Sequence, residues 1–196
     1  MEAGARTLGG VRDRRAPGED GRRDRALVAA AQSGSEDAIE ELFRRHWPAA
    51  HRAAYLVTHD PAGAEDIAQE AFVAAIRALD RFDRRRPFAP WLHRIVVNRA
   101  IDWTRARKAR REVADGELEG VEAPAAGPGL GADAAGTLEA LRGLAPEHRA
   151  VVVLRYLLEY TPGEIAELLE LPRGTVNSRL RRGLDALARD LPEEAS

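Results

Sequence analysis

Two short amphipathic segments near the carboxyl end of the chain carry side chains that can bind nucleic acid. Residues 161–164 (Thr-Pro-Gly-Glu) have the pattern of a capping box with proline at the first helical position, which predicts a helix beginning at Thr161. The break at 171–174 (Leu-Pro-Arg-Gly) separates this helix from a second one, predicted over 175–190 with Thr175 as its cap. Two short helices joined by a tight turn are typical of a helix-turn-helix motif.

The second of these helices has one apolar and one polar side. Its apolar side is predicted to contain Val176, Leu180, Leu184 and Leu187. Its polar side and its amino end supply the candidate duplex-binding residues, namely Arg173, Thr175, Asn177, Ser178, Arg179, Arg181 and Arg182. Arginine and asparagine can read base edges, whereas threonine, serine and arginine can hold phosphates. An ordinary helical hairpin with a solvated arginine face remains the alternative at this stage.

A strongly basic stretch lies earlier in the chain, at 81–111, where eleven basic residues face only two acids. On the helix predicted from Pro90, Arg94, Asn98 and Arg105 share one side, which we call the basic stripe, and Trp91 lies beside it. Cations, an amide and an aromatic ring on one surface suit single-stranded DNA, whose backbone charge and unstacked bases both need partners. The candidate residues for this role are Arg84, Arg85, Arg86, Arg94, Asn98, Arg105 and Lys108. Trp91 and Trp103 could also be plain core residues, and for Trp103 we expect that.

A third surface is predicted on the helix over 64–79. Its core side is expected to contain Phe72, Ala75, Ile76 and Leu79. The opposite side carries Asp66, Gln69, Glu70, Val73 and Arg77. An exposed valine among polar groups is either a stray apolar residue on a solvated face or part of a docking face for another protein.

Helical periodicity dominates both predicted domains, so the predicted fold class is all-α, with two small helical domains joined by a flexible linker. The predicted helices cover 24–32, 35–57, 64–79, 90–109, 137–143, 146–159, 161–169 and 175–190. The predicted divisions are a disordered extension at 1–23, a first domain at 24–111, a linker at 112–136, a second domain at 137–191 and a tail at 192–196. The linker is acidic around an Ala/Gly/Pro centre, and it could contact the basic stripe when DNA is absent.

Composition excludes several classes of function. A formal net charge of −2 argues against a uniformly basic nucleic-acid coat, and the lack of cysteine rules out disulfides, thiol nucleophiles and zinc–thiolate sites. The five histidines have no metal-hydrolase spacing, so we expect no enzyme, catalytic residue, metal or cofactor. The longest apolar runs are too short to span a bilayer and no secretory signal is visible, so no membrane insertion and a cytoplasmic location are expected.

Several motifs in the same order resemble those of extracytoplasmic-function (ECF) sigma factors of the sigma-70 family. The motifs DIAQEAF at 66–72, ALDRF at 78–82 and WLHRIVVNRAID at 91–102 resemble region 2 of that family. The motifs LAPEHR at 144–149, EIAELL at 164–169 and GTVNSRL at 174–180 look like region 4. The resemblance covers about 24–191 and implies a bacterial sigma subunit that directs RNA polymerase to promoters.

The resemblance also implies partners and roles. Asp66, Gln69, Glu70 and their neighbours would bind the clamp helices of the polymerase β′ subunit, and the β flap would be a second contact with core polymerase. Asn98 would help to hold a flipped base of the minus-ten element, and the loop 83–88 matches the specificity loop of the family. The second helix of the carboxyl-terminal motif would read the minus-35 element. An anti-sigma factor is a common partner in this family.

Two other classes stay open on the residues alone. A stand-alone helix-turn-helix regulator would bind its operator without polymerase, whereas a sigma factor should bind promoters well only as part of the holoenzyme. A purely protein-binding adaptor would show no salt-dependent affinity for DNA.

Overall fold

The computed structural model of the chain describes residues 17–114 and 132–190, and every regular element within them is helical. The helices are α1 (Pro17–Gln32), α2 (Glu36–Thr58), α3 (Pro61–Ala78), a short 3-10 turn (Leu79–Arg81), α4 (Phe88–Ala114), α5 (Ala132–Gly143), α6 (Pro146–Tyr156), α7 (Pro162–Leu169) and α8 (Arg173–Asp190). The predicted all-α class is confirmed. The centre of the predicted linker, 115–131, the first sixteen residues and the tail lie outside the described residues.

Side-chain caps explain where three of the helices begin. Ser35 accepts a hydrogen bond from the Ala38 amide before α2, and Asp60 accepts one from the Gly63 amide before α3. At α7 the predicted capping box is present, since Thr161 and Glu164 each bond the other's backbone N–H. These caps satisfy amide groups that have no partner inside the helix.

The first helix begins earlier than predicted, at Pro17 rather than Asp24. Residues 17–23, which the sequence assigns to a disordered extension, therefore belong to α1. The Arg45 guanidinium of α2 bonds both Asp20 and Asp24, at 2.9 and 3.2 Å. These ion pairs tie the early turns of α1 to α2, and apolar periodicity cannot reveal them because the residues involved are polar.

The amino-terminal domain is built around α2, which packs against α1, α3 and α4. The predicted buried side of α4 is confirmed, because Leu92, Val96 and Val97 are fully buried. A polar pair lies inside this core, where His46 Nε2 is 3.0 Å from Asp24 Oδ2. Burial opposes ionisation of Asp24, but the hydrogen bond and charge of His46 and the charge of Arg45 outweigh it and lower the pKa of the carboxyl.

The carboxyl-terminal domain packs α6, α7 and α8 around Leu154, Ile165 and Val176. Two predictions about α8 are corrected here. The helix begins at Arg173, because the Pro172 carbonyl accepts from the amides of residues 175 and 176, so Thr175 lies inside it and does not cap it. Leu184, predicted on the apolar side, is 40% exposed, although Leu187 further along the helix packs against the core.

The two domains are docked against each other along one seam. Helices α2 and α4 of the first domain contact α6 of the second, α4 also contacts α7, and α2 contacts α5. The buried Arg149 side chain of α6 donates to the Val57 carbonyl near the end of α2. The same guanidinium donates to the Arg142 and Leu144 carbonyls around the end of α5, at 2.7 and 2.9 Å. The described parts of the two domains therefore form one continuous packed body.

A close helix contact inside the first domain generates a stability prediction. The Trp103 ring packs on Gly63 of α3, which confirms that Trp103 packs against the core. A Cβ atom at Gly63 would lie 2.5 Å from Trp103 Cζ2, whereas a Cβ at Gly21 of α1 would meet no atom within 4 Å. Gly63→Ala should therefore lower the free energy of unfolding by about 1–3 kcal/mol through overpacking. Gly21→Ala should raise it by up to about 1 kcal/mol, because alanine is the better helix former.

Urea unfolding followed by circular dichroism checks both values. Each glycine lies in a helix, so Gly21→Ala controls for helix propensity. If the two variants unfold at the same urea concentration, the tight contact between Gly63 and Trp103 is wrong.

Candidate nucleic-acid and protein interfaces

The third predicted surface, on α3, is exposed as expected. Its five residues, Asp66, Gln69, Glu70, Val73 and Arg77, all lie on the solvent side, and Val73 is 46% exposed. Glu70 is held by Arg99 of α4 at 2.7 Å, and Gln69 donates to Glu65 at 3.2 Å. The face is therefore a mixed acidic and apolar surface whose polar side chains are partly fixed by their neighbours.

An apolar groove adjoins this face between α2 and α3. Ile76, predicted to be a core residue, is 42% exposed, and this is a correction because no described element covers that side of α3. Ile76 and the exposed Phe43 line the groove together with buried Phe72. The centroid of the Phe43 ring lies 4.8 Å from that of the Phe72 ring, so Phe43 packs against the core. Exposed apolar side chains beside acids are typical of a protein-docking surface.

The loop before α4 presents the basic residues Arg84, Arg85 and Arg86 to solvent. Asp83 shapes the turn, since its carboxylate accepts from the Arg85 amide at 2.9 Å and its carbonyl accepts from the Arg86 amide. Aromatic packing anchors both ends of the loop. The Phe82 ring lies 4.5 Å from the Trp91 ring, and buried Phe88 packs against both. Trp91 is therefore half-buried and contributes to this cluster.

The basic stripe on α4 is present, and two of its three members are engaged by acids. Arg94 and Asn98 are half-buried and Arg105 is exposed, as is Lys108 further along the helix. Arg94 Nη2 lies 2.6 Å from Glu170 Oε2, and Arg105 Nε donates to Glu147 Oε1 at 2.7 Å. Both acids belong to the carboxyl-terminal domain. The Asn98 side chain makes no hydrogen bond to another described residue.

Sequence reasoning missed Glu147 and Glu170, because pairing between distant exposed charges leaves no local pattern. Burial works against ionisation of Glu147, but its own backbone N–H and Arg105 outweigh this effect and lower the pKa of the carboxyl. Glu147 is therefore a carboxylate at neutral pH. The predicted contact of the basic stripe with the acidic linker involves residues outside the described part of the chain.

A buried, uncharged contact lies close to these ion pairs. His93 of α4 and the Tyr160 hydroxyl, in the turn before α7, are hydrogen-bonded with 2.8 Å between Nδ1 and the oxygen. Burial, with a smaller effect from His46, lowers the pKa of His93 to about 4, and burial also raises the pKa of Tyr160. Both groups are neutral at physiological pH, so the contact does not depend on charge. Neither residue was singled out by the sequence reasoning.

The outer surface of α8 carries most of the predicted duplex-binding residues. Arg173, Asn177, Arg181 and Arg182 are exposed, while Thr175, Ser178 and Arg179 are half-buried. Ser178 Oγ donates to the Thr175 carbonyl at 2.9 Å, which leaves its hydroxyl oxygen able to accept. Because Val176 and Leu180 are buried against the domain core, the cationic side points away from the protein. This geometry matches a helix able to enter a DNA groove.

Among residues 17–114 and 132–190, no group of three or more His, Asp or Glu is arranged to hold a metal ion. Over the same residues, no helix is long and apolar enough to cross a bilayer.

Comparisons with known proteins agree with this geometry. Sigma-70 region 2 matches residues 42–111, and Sigma-70 region 4 matches residues 137–187. The ECF RNA polymerase sigma factor SigW of Bacillus subtilis is 33% identical over 177 residues, covering 84% of this chain and 94% of SigW. SigM of Mycobacterium tuberculosis strain H37Rv, also an ECF RNA polymerase sigma factor, is 36% identical over 172 residues, covering 88% of this chain and 86% of SigM.

Solved structures resemble the chain as well. CnrH, in complex with the cytosolic domain of CnrY, is 32% identical with a TM-score of 0.64, covering 85% of this chain and 96% of CnrH. The sigma factor RpoE of Bartonella quintana, in complex with the anti-sigma factor NepR, is 21% identical with a TM-score of 0.66, covering 80% of this chain and 98% of RpoE. At this identity the likeness indicates the fold alone. A stand-alone regulator or an adaptor would not account for the match to region 2. The chain belongs to the ECF sigma factors of the sigma-70 family, and it is an RNA polymerase sigma factor rather than an enzyme.

Proposed function

We propose that this sigma factor binds core RNA polymerase through α3, the opened minus-ten strand through α4 and its preceding loop, and the minus-35 duplex through α8, in the cytoplasm. The observation that carries the proposal is that both matched regions present a basic surface on a helix whose opposite side is buried. Two such surfaces on separate domains suit two separated promoter elements. Run-off transcription with purified core polymerase on genomic promoter fragments tests the proposal, since the chain must confer promoter-dependent initiation.

Core polymerase would dock on the exposed face of α3, through Asp66, Gln69, Glu70, Val73 and Arg77. A helix of the β′ clamp could place its cations against the acids and an apolar side chain against Val73. The neighbouring groove with Phe43 and Ile76 supports a further protein contact. An anti-sigma factor, which the family resemblance implies, is the class of partner that we assign to this groove.

Duplex readout would fall to the exposed side of α8. Arg181 and Arg182 are exposed, and a bidentate arginine–guanine pair discriminates against other bases by roughly 1–3 kcal/mol. Arg173 and Arg179, near the amino end of the helix, would hold phosphates. Such contacts contribute to affinity evenly across sequences and make it salt-dependent.

Promoter opening would depend on the basic stripe. A sigma subunit has no fuel-driven step of its own, so melting must come from tighter binding of the opened strand than of the closed duplex. Flipping out a base costs a few kcal/mol. The Asn98 amide, half-buried and without a described partner, could hydrogen-bond to such a base, while Arg94, Arg105 and the arginines of the loop hold the backbone.

The proposed docking face yields a prediction about polymerase binding. Asp66→Lys combined with Glu70→Lys should weaken core polymerase binding at least tenfold, because two attractive charges become repulsive in a contact where single charges contribute about 1 kcal/mol or more. Pull-down and fluorescence anisotropy with core polymerase measure the effect.

The matched control is Glu40→Lys with Asp80→Lys, which makes the same change in net charge at two other exposed positions. Circular dichroism should show unchanged helicity in both double variants. Equal binding by the two variants would remove α3 from the polymerase interface.

The proposed role of Asn98 yields a prediction about promoter opening. Asn98→Ala should leave core binding intact and reduce open-complex formation about tenfold, which is the effect of losing one buried hydrogen bond of roughly 1–1.5 kcal/mol. Permanganate footprinting and run-off transcription measure it, and a template with a pre-melted bubble should restore most of the activity.

Asn177→Ala on α8 is the matched control, because it removes the same amide from a surface proposed to bind duplex DNA. Its defect should not be relieved by the bubble template. If Asn98→Ala is equally defective on duplex and bubble templates, Asn98 does not hold a flipped base.

A further inference from the structure

A cavity of about 190 Å³ lies at the seam, between the carboxyl ends of α2 and α5, the second half of α4 and the first turn of α6. Four of the eight described residues that line it are cations, namely Arg107, Lys108, Arg142 and Arg149, and none of the eight is acidic. This local excess of positive charge contrasts with the net charge of −2 of the whole chain. We infer that this cationic cavity binds a terminal phosphate, supplied either by free inorganic phosphate or by a small nucleotide.

The charges of the cavity are poorly compensated. Arg149 is 5% exposed, and its guanidinium bonds backbone carbonyls rather than a described carboxylate. Arg142 Nη1 lies 3.8 Å from Oε2 of the exposed Glu139, which is longer than a hydrogen bond. Burial, with the charge of Arg142, lowers the pKa of Arg149 to about 10, and burial, with the charges of both arginines, lowers the pKa of His59 to about 3. An anion in the cavity would offset the repulsion among these groups.

Two buried nitrogen atoms of the lining residues, Arg149 Nε and His59 Nε2, have no hydrogen-bond partner among the described residues. The arginine Nε carries a hydrogen, so it is a buried donor, and a buried donor without an acceptor is costly. A phosphate oxygen is an acceptor of the required charge. Hydrogen phosphate can both accept and donate, so it suits either neutral tautomer of His59.

The depth of the cavity favours a terminal phosphate over a strand of DNA. Arg149 is buried, Arg107 and Arg142 are half-buried and Lys108 is exposed, so the cations extend from the mouth into the protein. The space is much larger than the roughly 10–15 Å³ that one water needs, and a phosphate group therefore fits. A phosphodiester continues into nucleotides on both sides, so a strand crossing the mouth would meet mainly Lys108. A terminal phosphate has its free oxygens on one side and can reach the deeper arginines.

Amide NMR shifts of the isotope-labelled full-length chain test the inference with three probes. The probes are inorganic phosphate, adenosine monophosphate, and a single-stranded oligonucleotide without terminal phosphates, with potassium chloride holding the ionic strength constant. The first two probes should cause saturable shifts at amides around Thr58, Thr104 and Arg149, which belong to three helices that line the cavity. The oligonucleotide should not displace either of them from the cavity.

Arg142→Gln is the test variant, because it removes one cation and keeps the backbone carbonyl that accepts from Arg149. The loss of a charge-assisted hydrogen bond should weaken binding of inorganic phosphate by about tenfold or more. Arg142→Lys keeps the charge without the planar guanidinium and should stay within about threefold. Arg189→Gln on α8 is the matched control, since it makes the same change in charge at an exposed position away from the cavity. The control should stay within about twofold, because distant exposed charges are screened.

Four results would overturn the inference: no saturable shift with either small probe, shifts confined to another surface, unchanged affinity in Arg142→Gln, or an equal loss in Arg189→Gln. Binding of the oligonucleotide alone at the cavity would assign it to promoter DNA and would overturn the inference as well. Tighter binding of adenosine monophosphate than of phosphate would identify a nucleotide as the source, and any other order would identify the free anion. Arg142 is not among the proposed promoter contacts, so run-off transcription tests the proposed function separately.

Discussion

The buried guanidinium of Arg149 joins the two domains at the point where three helices meet. It lies where α2 and α5 end, and it donates to backbone carbonyls from both. Carbonyl groups at helix ends carry partial negative charge, so they stabilise the cation although no carboxylate among the described residues pairs with it. Burial and the charge of Arg142 lower the pKa of Arg149 to about 10, and the group stays protonated at neutral pH. Because Arg149 fixes α6 against α2, Glu147 in the first turn of α6 comes within reach of α4.

Interactions of different strength coexist along the seam. The cores on either side contain fully buried residues such as Leu92 and Leu154, each of which typically stabilises a fold by several kcal/mol. The acids and arginines between the domains are partly exposed, and pairs of that kind contribute about 0–1 kcal/mol. The two ion pairs are therefore a minor part of the contact between the domains, which buried hydrogen bonds and helix packing also stabilise.

The sequence was sufficient for those features that depend on one helix at a time. The buried side of α4, the exposed Val73 and the cationic side of α8 follow from helical periodicity. Ile76 and Leu184 were misplaced because periodicity identifies an apolar face but not whether another element covers it. The start of α1 and the contacts of Glu147 and Glu170 depend on charges that are distant in sequence. Those contacts follow only from the docking of the domains, which no local pattern encodes.

Glu170 ends α7 with a left-handed backbone (φ 53°), and its amide bonds back to the Ala166 carbonyl. Glycine adopts this conformation without steric cost, whereas a residue with a Cβ carries a penalty of roughly 1–2 kcal/mol. The Glu170 side chain, whose Cβ causes this steric penalty, also forms the ion pair with Arg94. The shape of the turn and the attraction between the domains are therefore separable properties of one position. Evolution could tune that attraction by exchanging this single residue, while the hydrophobic cores and the arginines of α8 stay as they are.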